Sequence, residues 1–377
     1  MKKIIFIIFI MLMMINVNYS SERENDNNVK LIPYRIGNKW GFCNKNKDII
    51  IECKYDYVEP FEYGLALVYL NGKYGSINEE GNIIIPIIHD IDYRFYEGLT
   101  FLNYKDKPGF YNNKNELIIP QGDWLPYSYF ENGVAVISKE NKKGMINREG
   151  EIIIPITYFE ISGLGENKIA VKNSKQWKII NLENKIIFTL KYDWVGRFSE
   201  NRCLVERNNK YGFIDENGKL VIPCKYESAT NFKNGISIVS DNNKYGHIDE
   251  LGNIITPIKY QMVSNFNNEL AVVQYEKKSF YINIKGEQMI STKYDIANDF
   301  FDNLACVKQG GFYGFINYNG KIVIEFKYIY AQDFKNGLAF VVKNTRYGLS
   351  GKINFEYGYI DKQGNEYWEK PFQDKEK

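Results

Sequence analysis

The stretch that decides the fold is residues 210–235, which read KYGFIDENGKLVIPCKYESATNFKNG. A second copy, KYGHIDELGNIITPIKYQMVSNFNNE, begins at Lys244, and an earlier copy, KWGFCNKNKDIIIECKYDYVEPFEYG, begins at Lys39. Aligning the chain with itself gives one period, 34 residues from Tyr211 to Tyr245. The period predicts nine clear repeats and a tenth near the C-terminus.

Two short anchors mark each repeat, an aromatic residue followed by glycine and a later phenylalanine. We interpret the aromatic-glycine pairs as structural signature residues: Trp40, Gly41, Tyr74, Gly75, Tyr211, Gly212, Tyr245, Gly246, Tyr313, Gly314, Tyr357 and Gly358. The phenylalanine anchors are Phe61, Phe95, Phe130, Phe198, Phe232, Phe266, Phe300 and Phe334, with Leu164 in the remaining position. We expect no catalytic, cofactor-binding or metal-binding residue among them.

Local signals within one repeat are those of β-strands. Residues 213–215 lead into the turn 216–218, which contains Asn217 and Gly218, and the β-branched run 220–222 follows. A third strand begins after Gly235 and turns into the next aromatic-glycine pair. Each unit is therefore predicted to be a three-stranded antiparallel meander.

The expected register pairs Asp215 with Lys219, which places Gly212 opposite Ile222 and leaves both sheet faces apolar. A sheet that is apolar on both faces must be covered on both, and neighbouring repeats are the natural covers. The glycine would then allow an adjacent backbone or ring to come close. We predict an all-β array that favours an open superhelical stack over a closed propeller, because ten units exceed the usual count of about 4–8 blades.

The recurring segments Lys-Trp/Tyr-Gly-Phe-Ile-Asx, x-x-Gly-x-Ile-Ile-Ile-Pro, Lys-Tyr-Asp and Phe-x-x-Gly-Leu-Ala resemble the WG repeat family, also called KWG repeats. The resemblance covers residues 31–366, with its clearest departures at Pro108, Lys143, Lys178 and Phe280. It implies a tandem-repeat, β-rich, mostly bacterial and often secreted protein. It implies no common catalytic residues.

The N-terminal segment has the layout of a secretory signal peptide. Lys2 and Lys3 precede an apolar run from Ile4 to Ile15, which is too short for a membrane-spanning helix of about 20 residues. We predict a signal peptide over residues 1–20, a polar linker over 21–30, nine repeats over 31–342, and a tenth repeat with an insertion and a C-terminal cap over 343–377. An uncleaved N-terminal anchor is the alternative to an exported chain with no integral membrane span.

Composition excludes several classes of function. The formal net charge of +2 over 377 residues argues against binding nucleic acid by bulk charge. The five cysteines are scattered and odd in number, which is not a disulfide framework. His89 and His247 fall on packing positions of the repeat, so a histidine-based metal site or triad is not expected.

A row of Asn and Asp residues ends the first strand of each unit. We interpret it as a set of turn-forming side chains rather than calcium ligands, since most members are neutral amides. The row comprises Asn44, Asn78, Asn112, Asn147, Asn181, Asp215, Asp249, Asn283, Asn317 and Asp361. No carboxylate pair stands out as the machinery of a sugar hydrolase.

Two irregularities interrupt the period. About ten extra residues near 349–356 form either a functional loop or, as we favour, part of a terminal cap. The segment WLPYSY, residues 124–129, carries aromatics that either pack in the core, as we favour, or contact a sugar or peptide. The leading prediction is a non-enzymatic, exported binding or scaffold surface for an unknown protein or glycan, without a cofactor. An enzyme acting on cell-wall or host polysaccharide and a purely structural envelope component are the alternatives.

Overall fold

The computed structural model describes residues 30–104, 106–174, 176–347 and 352–369, with residues 345–347 and 352–354 described by backbone alone. The predicted signal peptide and all of the predicted linker except Lys30 lie outside the described residues. Within the described ranges the chain forms 37 β-strands in ten antiparallel sheets. No helix in those ranges is long and apolar enough to cross a membrane.

Each sheet is one blade of a ring, and the blades are numbered in chain order. Blades 1 to 5 comprise β1 (Ile32–Ile36), β2 (Lys39–Cys43), β3 (Ile49–Tyr55); β4 (Tyr57–Val58), β5 (Ala66–Leu70), β6 (Lys73–Ile77), β7 (Ile83–His89); β8 (Leu99–Leu102), β9 (Gly109–Asn112), β10 (Leu117–Pro120); β11 (Leu125–Pro126), β12 (Val134–Lys139), β13 (Lys142–Asn147), β14 (Ile152–Tyr158); and β15 (Glu160–Gly165), β16 (Lys168–Lys172), β17 (Trp177–Ile180), β18 (Ile186–Leu190). Blades 6 to 10 comprise β19 (Trp194–Ser199), β20 (Arg202–Arg207), β21 (Lys210–Asp215), β22 (Leu220–Tyr226); β23 (Ser228–Ala229), β24 (Ile236–Asp241), β25 (Lys244–Asp249), β26 (Ile254–Tyr260); β27 (Met262–Val263), β28 (Ala271–Tyr275), β29 (Lys278–Ile282); β30 (Ile296–Phe301), β31 (Leu304–Gln309), β32 (Phe312–Ile316), β33 (Ile322–Tyr328); and β34 (Tyr330–Ala331), β35 (Leu338–Tyr347), β36 (Lys352–Asp361), β37 (Glu366–Tyr367).

Most blades have four strands rather than the three that we predicted. The additional strand comes first, and it has two residues in four blades and six residues in the other three. In blade 7, Ser228 and Ala229 pair with Ser240 and Val239. The blade is therefore offset from the sequence repeat. Blade 7, for example, combines the third strand of one repeat, Ile236–Asp241, with the first two strands of the next, Lys244–Asp249 and Ile254–Tyr260. Most neighbouring blades are joined by links of one to four residues, whereas longer links, 90–98 and 283–295, precede blades 3 and 9.

The predicted register at the signature hairpin is correct in part. The amide of Asp215 donates to the carbonyl of Lys219, and Ile214 lies opposite Leu220, as expected. A bulge then places Phe213, rather than Gly212, opposite Ile222. Phe213 and Ile222 are buried, whereas Leu220 is exposed.

The bulge also explains the signature glycine. A Cβ atom on Gly212 would lie 2.4 Å from the carbonyl oxygen of Ile222 and 2.6 Å from the amide nitrogen of Cys224. The expectation that this glycine admits a close backbone is therefore confirmed. The same crowding occurs at Gly246, where the nearest atom is the carbonyl oxygen of Thr256 at 2.7 Å.

The hydrophobic core lies between blades. One cluster joins Phe213, Ile222 and Tyr226 of blade 6 to Phe232 and Val239 of blade 7. Because each blade supplies one wall of such a cluster, a single blade has no core of its own. This confirms that neighbouring repeats cover the two apolar faces of each sheet.

The first and last blades meet, so the array is a closed ten-bladed ring and the predicted open superhelical stack is wrong. Blade 1 has no short first strand among the described residues, and Trp368 pairs with Arg35 at that edge. The amide of Glu369 donates to the carbonyl of Arg35 at 2.8 Å, and Arg35 Nε donates to the carbonyl of Tyr357 at 3.1 Å. Trp40 also packs on Tyr357, with ring centroids 6.1 Å apart.

Two ion pairs that bypass a blade are consistent with closure. Lys335 of blade 10 lies 3.0 Å from Glu62 of blade 2, and Arg197 of blade 6 lies 2.5 Å from Glu131 of blade 4. Side chains can reach past an intervening blade only where the blades converge towards the axis of the ring. An open stack would have left unpaired the edge of β1 that Trp368 and Glu369 occupy.

The insertion near 349–356 extends the central hairpin of blade 10. Strands β35 and β36 pair along their whole length, with Tyr347 opposite Lys352 at the far end. Residues 348–351 lie outside the described residues. The outer edge of β1 in blade 1 is occupied by Trp368 and Glu369 rather than by this hairpin.

Candidate binding groove over blades four to six

Two adjoining pockets, of about 640 Å³ and 600 Å³, form a groove across blades 4, 5 and 6. They share Glu160 and are together called the blade 4–6 groove. The first pocket is lined by Glu160, Ile161, Ser162, Lys172, Trp177, Asp193, Trp194, Gly196, Arg197 and Asn231. The second is lined by Gln121, Gly122, Asp123, Trp124, Leu125, Tyr127, Ser138, Lys139, Glu140, Asn141, Lys143, Phe159 and Glu160.

The second pocket arises where the stretch between the blade junction and the phenylalanine anchor is longest. Seven positions separate Asp123 from Phe130, against five from Asp193 to Phe198. The two extra residues fall in WLPYSY, and the aromatic residues of that segment differ in burial. Trp124 is only 8 % exposed, as core packing predicts, but Tyr127 is 59 % exposed, so the core prediction is wrong there.

Phe159 stands where several repeats carry a carboxylate that ties one blade to the next. At other junctions a lysine at the start of a WG-type strand pairs with an acidic residue of the next blade, as in Lys39–Asp56 at 2.7 Å and Lys278–Asp295 at 2.6 Å. At the junction of blades 4 and 5 the ammonium group of Lys142 instead lies 2.9 Å from the centroid of the Phe159 ring. Phe159 stays 43 % exposed.

Lys143 and Glu160 form an ion pair at the boundary between the two pockets. Their charged atoms are 2.5 Å apart, and the Lys143 ammonium lies 4.1 Å from the Tyr127 ring centroid. Burial opposes the charge on Lys143, but its hydrogen bonds to Glu160 and Tyr127 raise its pKa overall. Lys143 stands where most repeats have the signature aromatic residue, so this pair exists only because the repeat is degenerate.

Trp194 forms the wall of the first pocket. Its indole lies over Gly196, where a Cβ atom would come within 2.9 Å of the ring, and it meets Tyr211 edge-on with centroids 6.5 Å apart. The ring is nevertheless 39 % exposed. Below it, Asp193 accepts a hydrogen bond from the Asn208 amide at 2.7 Å, which fixes the loop that carries the tryptophan.

Charges in the groove cancel. The charged lining residues are Lys139, Lys143, Lys172, Arg197, Asp123, Glu140, Glu160 and Asp193. Four are basic and four are acidic, and Lys139 pairs with Asp123 as Lys143 pairs with Glu160. The groove therefore offers aromatic surface and polar groups without a net field.

The sequence-predicted residues lie elsewhere or perform structural tasks. Among the signature aromatics Trp40 is buried, while Tyr211, Tyr245 and Tyr313 are half-buried between blades. Asp215 Oδ1 accepts hydrogen bonds from the amides of Asn217 and Lys219, at 3.0 and 2.8 Å, which confirms the turn interpretation of that row. No cluster of three or more potential metal ligands occurs in the described part of the chain.

Both histidines pack against other rings. His247 Nε2 donates to the Ser264 carbonyl at 2.9 Å and Nδ1 accepts from the Thr256 hydroxyl at 2.7 Å, because a carbonyl oxygen can only accept. Burial lowers the pKa of His247. His89 meets Tyr93 and Tyr104 edge-on, each at 5.3 Å. The packing role predicted for these residues is confirmed.

One carboxylate pair was missed by sequence reasoning. Asp299 and Asp333 precede the phenylalanine anchors of blades 9 and 10, where earlier repeats have other residues. Burial raises the pKa of Asp333 to about 6, the hydrogen bond from Asn298 at 3.0 Å opposes this shift, and the neighbouring Asp299 adds to it. Burial likewise raises the pKa of Asp299. Neither residue lines the blade 4–6 groove.

The fold is that of a ten-bladed β-propeller built from repeated sequence units. The chain belongs to the WG containing repeat family, which matches residues 40–74, 74–107, 144–177, 179–211, 211–245, 245–278, 280–311 and 313–347. The matches omit 108–143, the stretch that contains WLPYSY. No curated protein matches the chain.

Solved structures with related folds are distant. Kluyveromyces lactis Hsv2 is 10 % identical with a TM-score of 0.35, covering 62 % of this chain and 98 % of its own. A structure described as the eukaryotic initiation factor is 11 % identical with a TM-score of 0.43, covering 89 % and 94 %. A Bacteroides caccae protein of unknown function is 16 % identical with a TM-score of 0.22, covering 55 % and 91 %. The ten-bladed architecture rests on the strand pairing and the seam contacts, not on these similarities.

Proposed function

We propose that this protein is a non-enzymatic, exported binding protein whose ligand contacts the blade 4–6 groove. The observation that carries the proposal is the coincidence of three features in one place. The exposed rings of Tyr127, Phe159 and Trp194 line the two adjoining pockets. The pockets lie where the repeat pattern breaks, and loops that depart from a regular array often carry function.

The absence of a catalytic role is part of the proposal. The carboxyl groups of Asp299 and Asp333 have raised pKa values, as a general acid would, but they do not line the groove. Of the carboxylates that do line it, Glu160 pairs with Lys143, Asp123 pairs with Lys139 and Asp193 accepts from the Asn208 amide. These groups support a ligand-holding role better than proton transfer.

Export is supported by the sequence of the first fifteen residues, with Lys2 and Lys3 before an apolar run. Mass spectrometry of the protein recovered from its own source cells tests this part. A mature N-terminus near Ser20 or Ser21 in the envelope or medium is expected. A full-length chain confined to the cytosol would overturn export and leave the groove proposal standing.

The binding proposal is tested with three immobilised baits, namely the wild-type protein, Trp194→Ala and Phe312→Ala. Phe312 is a matched control, because it is as exposed as Trp194 (both 39 %) and lies in blade 9. We expect one component of an envelope extract to bind wild-type protein and Phe312→Ala but not Trp194→Ala. That component is then identified, purified and rebound. Equal retention by all three baits, each shown to be folded by circular dichroism, would overturn the proposal.

A further inference from the structure

The ligand class can be narrowed by the chemistry of the groove, provided that the groove is the binding site proposed above. We propose that it holds a neutral glycan chain lying across blades 4, 5 and 6. Three properties of the groove lead to this inference, namely the aromatic rings, the balance of charge and the shape formed by the two pockets.

The aromatic rings of the groove are exposed surfaces on which a ligand can stack, and they do not enclose a cavity. Tyr127, Phe159 and Trp194 are each between 39 % and 59 % exposed. A pyranose ring has a flat face of C–H groups that packs on such a surface while its hydroxyls stay hydrated, and tyrosine and tryptophan suit this mixed environment. An apolar peptide side chain would instead favour a deep pocket that excludes water.

Charge selects against acidic polymers. Four basic and four acidic side chains line the groove, and two of the lysines are neutralised by Asp123 and Glu160 within it. A polyanion gains no net attraction from such a surface, whereas acidic recognition uses clusters of unpaired basic residues. Uncharged polar side chains also line the groove, and they are Gln121, Ser138, Asn141, Ser162 and Asn231. Ser162 and Ser138 already donate to the carbonyls of Val195 and Leu125, so towards ligand hydroxyls they can act as acceptors.

The two pockets favour an oligomer over a single sugar. Each pocket falls within the range of about 300–1,000 Å³ that is typical of small-molecule sites. They meet at Glu160, so one extended ligand can occupy both. The Glu160 carboxylate, held by Lys143, would accept hydrogen bonds from hydroxyls at the middle of the chain.

Affinity gel electrophoresis and glycan-array binding with the intact protein test the inference. The probes are neutral polysaccharides (laminarin, galactomannan, xyloglucan) and neutral oligosaccharides on the array, with polygalacturonate as the acidic control. We expect at least one neutral glycan to bind. Removing one stacked ring in Trp194→Ala should weaken binding about tenfold, by analogy with the loss of one aromatic ring that stacks on a nucleic-acid base. Phe312→Ala should bind like wild type, and added salt should have little effect because exposed charges alone are screened.

The possible results distinguish the failure of the neutral-glycan inference from the failure of the proposed binding function of the groove. Binding to polygalacturonate alone, weakened by salt, would overturn the neutral-glycan inference. So would the absence of neutral-glycan binding when a purified protein partner still requires Trp194. If neither glycan nor protein binding depends on Trp194 or Tyr127, the inference and the proposed function both fail. Tyr127→Ala serves as the second groove variant, because it removes a ring from the other pocket.

Discussion

Gly212 shows how one missing side chain sets the shape of a blade. The bulged backbone of β22 passes directly over it, at 2.4 Å from the position that a Cβ atom would take. We expect Gly212→Ala to lower the free energy of unfolding by about 1–3 kcal/mol, as overpacking does in other cores. Urea titration followed by tryptophan fluorescence measures this change. The exposed turn variant Lys219→Ala serves as control, and equal midpoints for the two would contradict the steric account.

Asp333 gives the fold a dependence on pH. Its pKa rises from 3.8 to about 6 on burial, so the folded state binds its proton more tightly than the unfolded state. Stability is therefore lost as the pH rises from about 4 through 6, and Asp333→Asn should remove that loss.

The expected gain for Asp333→Asn at pH 8 is about 1–2 kcal/mol, less than the full ~1.4 kcal/mol per pKa unit because the side chain is only partly buried. Near pH 4 the variant and the wild type should unfold alike. Melting temperatures of both proteins from pH 4 to pH 8 provide the measurement. A difference that is the same at every pH would show that titration of Asp333 is not its cause.

Blades are also held together by their turns. Glu200 of blade 6 accepts hydrogen bonds from the amides of Asn234 and Gly235 in blade 7, at 2.6 and 2.7 Å. Similar contacts join Glu166 to the Asn201 amide and Asp302 to the Gly337 amide. This carboxylate-to-turn contact therefore recurs around the ring as an element of the repeat.

Glu200→Ala should lower the free energy of unfolding by about 1–2 kcal/mol, since hydrogen bonds to charged groups exceed neutral ones but this pair is exposed. Glu250→Ala is the control, because only the backbone carbonyl of Glu250 is engaged, by Arg202. Chemical denaturation of both variants is the measurement. If Glu200→Ala and Glu250→Ala unfold at the same denaturant concentration, the turn contact contributes nothing.

Much of each blade could be predicted from its sequence. The turn at Asn217 and Gly218 and the β-branched run after it are local signals, and the hairpin follows from them. The short strand Ser228–Ala229 could not be foreseen, because two residues carry no alternation. The bulge was missed because it depends on Tyr226 reaching across to Tyr211, a pairing that no local pattern specifies.

The groove was only partly predictable. WLPYSY stood out as an irregular segment, yet its division into a buried Trp124 and an exposed Tyr127 depends on the two extra residues and on blade 5. Phe159 was missed, although it stands where most repeats have an acidic residue. Lys143 was noted as a departure, but its partner Glu160 could be recognised only once the two blades were side by side.

Closure of the ring depends on contacts between the first and last blades, which no single repeat contains. A repeat of 34 residues predicts the unit but not the angle between units, so the open stack was favoured only on the usual number of blades, and that prediction was wrong. Two structural features at the ends of the array explain why the ring closes. Blade 1 lacks a first strand within the part of the chain that the structure describes, and Trp368 and Glu369 pair at that edge.

Trp368 is the central side chain of this seam. It is buried, pairs with Arg35 and donates a hydrogen bond to Glu356 at 3.3 Å. Trp368→Ala should lower the free energy of unfolding by about 3–5 kcal/mol, as the loss of a large core side chain does. Trp194→Ala is the matched control and should cost far less, because its ring is partly exposed. Thermal unfolding compares them, and equal melting temperatures would show that the seam does not hold the ring.

The seam has a consequence for how the molecule is made. Arg35 is among the first described residues to leave the ribosome, and its partners Trp368 and Glu369 are among the last. The ring therefore cannot shut until Trp368 and Glu369 have been synthesised, and β1 must wait with an open edge through that interval. A chain that ends early keeps that edge, and another copy can add a strand to it. Premature termination would thus convert a self-contained protein into a seed for assembly.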